Sequence, residues 1–300
     1  MHISHYNLQS TTKRCCRRLK SWLQEHVCKQ NSQSNSKLPR CDVLLFVATP
    51  TEKEKLEEVA RSLNLQFTRR QGKAFKYYDL GQVGTYRVMA VKSEVGAFGH
   101  DGSAARAIAA KIETHATGLV SLGMAFGTDP HKSTGFRGQN KGDVLVSRIL
   151  LPYDNRRVRS VDGAVVTDYE RVVPYHAKES LVKALRKHSM SSEWETHVHF
   201  GAMLTGGALI ECARFRDDLV RRLSDRGELV IGGEMEGAGL LAASNPRAPT
   251  WIIAKGILDF ADEERDPKSP QFARDRAIAC ECAAKFVLTA LLSDNPDEQN

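Results

Sequence analysis

From Asp42 onward, strand-length apolar runs alternate with segments of helical period, and this alternation constrains the fold more than any other feature. "DVLLFVA" (42–48) is almost continuously apolar, and "TEKEKLEEVARSL" follows it with helical periodicity. "YRVMAV" leads through a glycine-containing turn into the alanine-rich "DGSAARAIAAKIE". "GLVSLG", "DVLVSRIL", "HVHFGAML", "ELVIG" and "WIIAKGI" read as further strands. "ALIECARFRDDLVRRL" reads as a helix, as does the small-residue stretch after "GGEMEG", and a last helix runs from about Phe272 to Leu292. A strand covered on both faces is apolar along its length, and a helix is the usual connection back to a parallel neighbour. The pattern predicts an α/β fold: a three-layer αβα single domain over residues 41–293 with a central mixed sheet, and a polar tail over 294–300.

Composition adds limits. Hydrophobic residues make up 41% and charged residues 26%, ordinary values for a water-soluble globular chain. No apolar run reaches bilayer-spanning length, and the first residues lack a signal-peptide core. Seven cysteines, an odd number without paired spacing, fit reduced thiols in a cytoplasmic protein. The net charge of +7 is local: residues 1–40 hold eight Lys/Arg against Glu25 alone, and the remainder balances. The main domain therefore offers no nucleic-acid-binding charge. Residues 1–40 read as a basic extension, with an amphipathic segment over 11–30 and a polar linker, "NSQSNSK". A solvated tail is the plain reading; docking on a partner or an anionic membrane surface is the sharper one.

In open α/β sheets ligands collect beyond the carboxyl ends of the strands. The unusual stretches of this chain fall at those ends: "ATPTEKE", "SEVGAFGHDG", "GMAFG", "GGEMEG" and "LDFAD". Four of the five carry carboxylates, and no arginine cluster accompanies them. His197 and His199 alternate along one strand, so the sequence gives no metal constellation, and no cofactor is expected.

Taken in order, "ATPTEKE", "SEVG", "GMAFG" followed by "KGDVLVS", "GEMEG" and "KGILDFAD" resemble the nucleoside phosphorylase and nucleosidase superfamily over about residues 42–290. The wording is most similar to the branch found as effector domains in bacterial defence proteins. The resemblance implies that Glu236 holds the ribose hydroxyls, a task suited to a carboxylate that accepts from two neighbouring O–H groups. It implies a second ribose contact at Glu234 and packing of Met235 on the sugar. Asp259 would protonate the departing purine, and Glu52 would activate water on the opposite face of the sugar. Glu54, Glu57 and Glu58 read instead as solvated helix charges, and Asp262 as a loop cap. Ser93 would hold the water. Leu209 and Ile210 would contact the base, though core packing explains them equally well, and Gly123 and Gly127 would admit backbone close to the ligand.

Two departures favour hydrolysis over phosphorolysis. Ser121 stands where hexameric phosphorylases carry a phosphate-binding arginine, and the first loop supplies Glu52 where another would be. A 5′-phosphate would be met by Lys132, Arg137 and Lys141 of the "GTDPHKSTGFRGQNKGD" loop, with His131, Arg156, Arg157 and Arg159 nearby in sequence. The expectation is an N-glycosyl hydrolase acting on a purine nucleoside or nucleotide, an adenine nucleotide such as AMP or ATP favoured, as a homo-oligomer (dimer or hexamer). A phosphate-dependent phosphorylase and a non-catalytic nucleotide sensor are the alternatives.

Overall fold

The computed structural model describes residues 38–128, 138–191, 194, 196–224, 229–245 and 247–294. The amphipathic segment over 11–30, His131, Lys132 and Arg137 lie outside the described residues. Packing divides the chain into two units, Met1–Leu38 and Pro39–Asn300, and the second holds the sheet and its helices.

Seven strands form the part of the sheet that surrounds the site. β1 (Val43–Val47) is buried at every residue and pairs in parallel with β4 (Tyr86–Lys92) and β5 (Gly118–Gly127), which accounts for its unbroken apolar run. β5 pairs in parallel with β12 (Trp251–Asp259), and β12 runs antiparallel to β6 (Val144–Pro152). β6 pairs in parallel with β10 (Val198–Thr205), and β10 with β11 (Val230–Glu234). The end of β5 turns back to pair antiparallel with β11 through Gly127 and Phe126, so β5, β12, β6, β10 and β11 close into a ring. The sheet is mixed, as expected, and it curls.

Several elements escaped the sequence pattern. β2 (Thr68–Gln71) and β3 (Lys76–Val83) extend the sheet beyond β4, and β9 (Tyr175–His176) pairs with β6. β7 (Arg157–Val161) and β8 (Ala164–Asp168) form a separate hairpin with mostly exposed side chains. Arg157 and Arg159 belong to that hairpin.

Helix α1 (Pro50–Ser62) begins with a complete capping box: Thr49 Oγ1 accepts the Glu52 N–H, and the Glu52 carboxylate accepts the Thr49 N–H. Pro50 at the first helical position completes the start signal. α2 (Ser103–Thr114) packs on the short α5 (Gly237–Ala242). α3 (Glu179–Ser189) and α1 pack on the long α6 (Pro270–Ser293). Both α5 and α6 rest on β5 and β12, which places those strands between two helical sets. α4 (Ala213–Leu223) covers β10 and β11 with Leu219 and Leu223. It starts later than its periodicity suggests, and Ala208–Cys212 is an extended loop. Among the described residues no helix is long and apolar enough to cross a membrane.

Candidate functional site

A cavity of about 330 Å³ opens beyond the strand ends, lined by Thr49, Glu52, Met124, Ile210, Glu236 and Asp259 among others. The loops after β1, β4, β10 and β12 converge there, together with the end of β5 and the β11–α5 turn.

Glu52 is 3% exposed, and its carboxylate takes three main-chain donors. Oε2 accepts from Ala48 (2.6 Å) and Thr49 (2.9 Å), and Oε1 accepts from Met124 (3.2 Å). The capping box thus fixes a carboxylate in the cavity wall instead of leaving it on the helix surface. Burial pushes the Glu52 pKa up; Lys255 opposes this and Glu236 adds to it. Glu57 and Glu58 pair with neighbouring lysines on the outer face, as solvated helix charges do.

Glu234 and Glu236, two residues apart, have different surroundings. The Glu234 side chain is wholly buried and accepts the N–H groups of Glu236 (2.9 Å) and Gly237 (2.8 Å). It binds the first main-chain N–H groups of α5 and also lines the cavity beside Glu236. Glu236 accepts the Gly96 N–H at 2.8 Å, and its carbonyl accepts the Ser103 hydroxyl at 2.7 Å. These bonds tie the loop after β4 to the α5 turn. Beneath both acids lies Lys255, 1% exposed on β12; its Nζ donates to Glu236 and stands 3.4 Å from Glu234. Burial would lower the Lys255 pKa, but Glu236, Glu234 and Glu52 together raise it, so the ammonium stays charged. Glu234 is itself pushed up, chiefly by burial.

Asp259 ends β12 beside the buried Leu258. Oδ1 accepts the Ala261 N–H (3.1 Å) and Oδ2 the Arg265 Nε–H (3.1 Å). Burial raises its pKa, while Ala261 and Arg265 pull the other way. Arg265 also pairs with Glu211, joining the β12–α6 loop to the loop that carries Leu209. Asp262 accepts the Glu264 N–H, the loop-cap role expected of it.

The remaining expected residues divide. Met235 lines the cavity. Leu209 stands at the mouth, 59% exposed, while Ile210 is buried and belongs both to the cavity wall and to the core beneath α4. Ser93 is buried with an Oγ that has no hydrogen-bond partner among the described residues. Gly123 has φ +131° and abuts the Glu52 carboxylate. Lys141 pairs with Asp275 at 2.7 Å in a neighbouring cleft that shares Asp259 and Arg265 with this cavity. Ser121 is buried within β5, between β1 and β12. Lys255, Arg265 and Arg276 were missed. A lysine inside the apolar run "WIIAKGI" was a usable signal; lone arginines in polar segments were not. Among the described residues no group of His, Cys, Asp and Glu could hold a metal ion.

Compared with solved structures, the chain superposes on the 5′-methylthioadenosine/S-adenosylhomocysteine nucleosidase of Neisseria meningitidis with TM-score 0.65 and 18% identity, over 84% of this chain and 99% of that one. This is the nucleoside phosphorylase fold. The futalosine hydrolase of Helicobacter pylori superposes with TM-score 0.62 and 16% identity, over 86% and 99%. In sequence, the chain is 28% identical over 193 residues to a death domain-containing ATP nucleosidase of Amphimedon queenslandica, covering 59% of this chain. The chain spans about a third of that relative's length (34%). No family model matches. Within the nucleoside phosphorylase fold, the closed ring of strands explains why segments so far apart in sequence meet at one cavity.

Proposed function

We propose that the chain hydrolyses the N-glycosidic bond of a purine nucleoside or nucleotide, releasing free base and ribose or ribose phosphate. The observation that carries this is the convergence of Glu52, Glu236 and Asp259 from three separate strand ends on one cavity. Glu236, oriented by Lys255 and the Gly96 N–H, accepts from the ribose hydroxyls. Asp259, raised by burial, supplies a proton to the leaving purine. Glu52, also raised, takes a proton from the attacking water, and the orphan Ser93 hydroxyl helps to hold that water. Charge on the oxocarbenium-like sugar is then balanced by carboxylates already fixed in place, without reorganisation. Met235 packs on the sugar, and Leu209 and Ile210 border the base.

The relative named as an ATP nucleosidase supports an adenine nucleotide as substrate. Nucleotide depletion in defence is the biological consequence we propose for that activity. A second copy of the chain is proposed to cover the exposed Phe98 and Val95 next to the cavity, with Ile108 and Ile112 of α2.

The test is chromatography of adenosine, AMP, ATP, inosine and guanosine after incubation with purified protein, with and without phosphate. Base released without phosphate, and lost in Glu236→Ala and Asp259→Asn, is the expected result. Release only with phosphate would make the protein a phosphorylase and remove Glu52 as the base. No release from any compound would leave a nucleotide-binding module.

A further inference from the structure

The cavity is rich in acids, yet two arginines line it, Arg265 and Arg276. Both guanidinium groups lie over one ring, that of Phe272, at 4.9 and 5.1 Å from its centroid. Their charges are used differently. Arg265 is held between Asp259 and Glu211. Lys255, below the cavity floor, is held between Glu234 and Glu236. Asp275, next to Arg276 in sequence, is occupied by Lys141 and Gln271.

Among the described residues Arg276 makes no ion pair and no hydrogen bond, and its Nε is buried without a partner. A buried guanidinium N–H left unpaired is costly, and the stack on Phe272 does not satisfy it. An anion meeting the Nε edge with two oxygens would satisfy the guanidinium, and phosphate has that geometry. The other walls are committed. On the proposed reading the sugar hydroxyls go to Glu236, the attacked carbon faces Glu52, and the base lies between Asp259 and Ile210. The substituent of a nucleoside left without a partner is the one at C5′.

We infer that Arg276 is the specificity residue for a 5′-phosphoryl group, so that the site takes 5′-phosphorylated purine nucleosides in preference to the free nucleosides. This rests on the nucleosidase reading of the same cavity, and it moves the phosphate contact from the Lys132–Lys141 loop to α6.

The experiment compares kcat/KM for AMP and adenosine in the full chain and in Arg276→Met and Arg276→Lys, with and without added orthophosphate. The AMP-to-adenosine ratio should exceed one in the parent. It should fall about 100-fold or more in Arg276→Met, the size of a lost pair of charge-assisted hydrogen bonds. Arg276→Lys should recover part of the ratio, because charge is kept and the bidentate edge is lost. A ratio that does not change in Arg276→Met would overturn the inference. So would adenosine cleavage that requires orthophosphate in the parent and is lost, or needs far more orthophosphate, in Arg276→Met, since the anion would then be a co-substrate. If no base is released from any compound, the nucleosidase reading fails on its own. Calorimetric titration with AMP and adenosine then decides about Arg276: weakened binding of AMP alone in Arg276→Met supports the assignment, and unchanged AMP binding sinks it.

Discussion

Gly123 and Glu52 share one space. A Cβ at position 123 would fall far inside van der Waals contact distance of Glu52 Oε1, and φ at that residue is +131°, where an L side chain is strained. The carboxylate cannot swing aside cheaply, because the main-chain N–H groups of Ala48, Thr49 and Met124 hold it. Gly123→Ala should therefore cost about 2–4 kcal/mol of stability from strain and overpacking combined. It should also reduce base release further than the lost folded fraction explains. Denaturant unfolding beside single-turnover kinetics separates the two effects. A variant of parental stability and rate would show that Glu52 is not fixed by this contact.

The buried cation between Glu234 and Glu236 leads to a second prediction. Removing Lys255 leaves two carboxylates that are almost wholly buried, and breaking a buried pair on one side costs about 3–5 kcal/mol. Lys255→Met should be destabilised by that amount, and adding Glu236→Gln should restore part of it by removing one stranded charge. The double-mutant cycle read by urea unfolding gives the coupling. Additive losses would mean that Lys255 and Glu236 are energetically independent, contrary to the geometry.

Leu209 stands at the mouth with more than half its surface free, so enlarging it meets little steric resistance. An aromatic ring there would stack on a purine, a gain of about 0.5–1.5 kcal/mol beyond simple burial. Leu209→Phe should lower KM for the purine substrate several-fold without loss of thermal stability. A higher KM would place the base elsewhere in the cavity.

These residues mark how far the sequence could be read. Strands such as "DVLLFVA" and the acidic loops at their ends were legible, because burial on both faces forces an apolar run and a ligand site concentrates glycine and charge. Glu52 was separable from Glu57 and Glu58 by its place at the turn, and the capping box with Thr49 explains that separation. The distinction between Glu234 and Glu236 was not legible: which of two like residues turns into its own helix is decided by backbone direction. The loop 208–212 read as helix because its apolar positions continue the period of α4, whereas cavity wall and core claim them. Arg265 and Arg276 carried no local signal. Their meaning depends on Phe272 and Asp259, which approach them only after β12 and α6 have packed together.

The contact between Arg265 and Asp259 fixes the sign of a pH effect. Burial raises the Asp259 pKa, and the guanidinium at 3.1 Å lowers it by favouring the carboxylate. A general acid must be protonated to act, so kcat/KM should fall as pH rises through the Asp259 pKa. Glu52 must be ionised to take a proton from water, so the rate should also fall as pH drops below the raised Glu52 pKa. The profile is then bell-shaped, with Asp259 on the alkaline limb. Arg265→Gln removes the group that favours ionisation. The alkaline limb should consequently move to higher pH, because a close opposite charge that favours the carboxylate is lost. The acid limb should move less, since Arg265 is absent from the main influences on Glu52. Initial rates across the pH range, in buffers of constant ionic strength, provide the check. An alkaline limb that moves to lower pH, or persists in Asp259→Asn, would take the acid role away from Asp259.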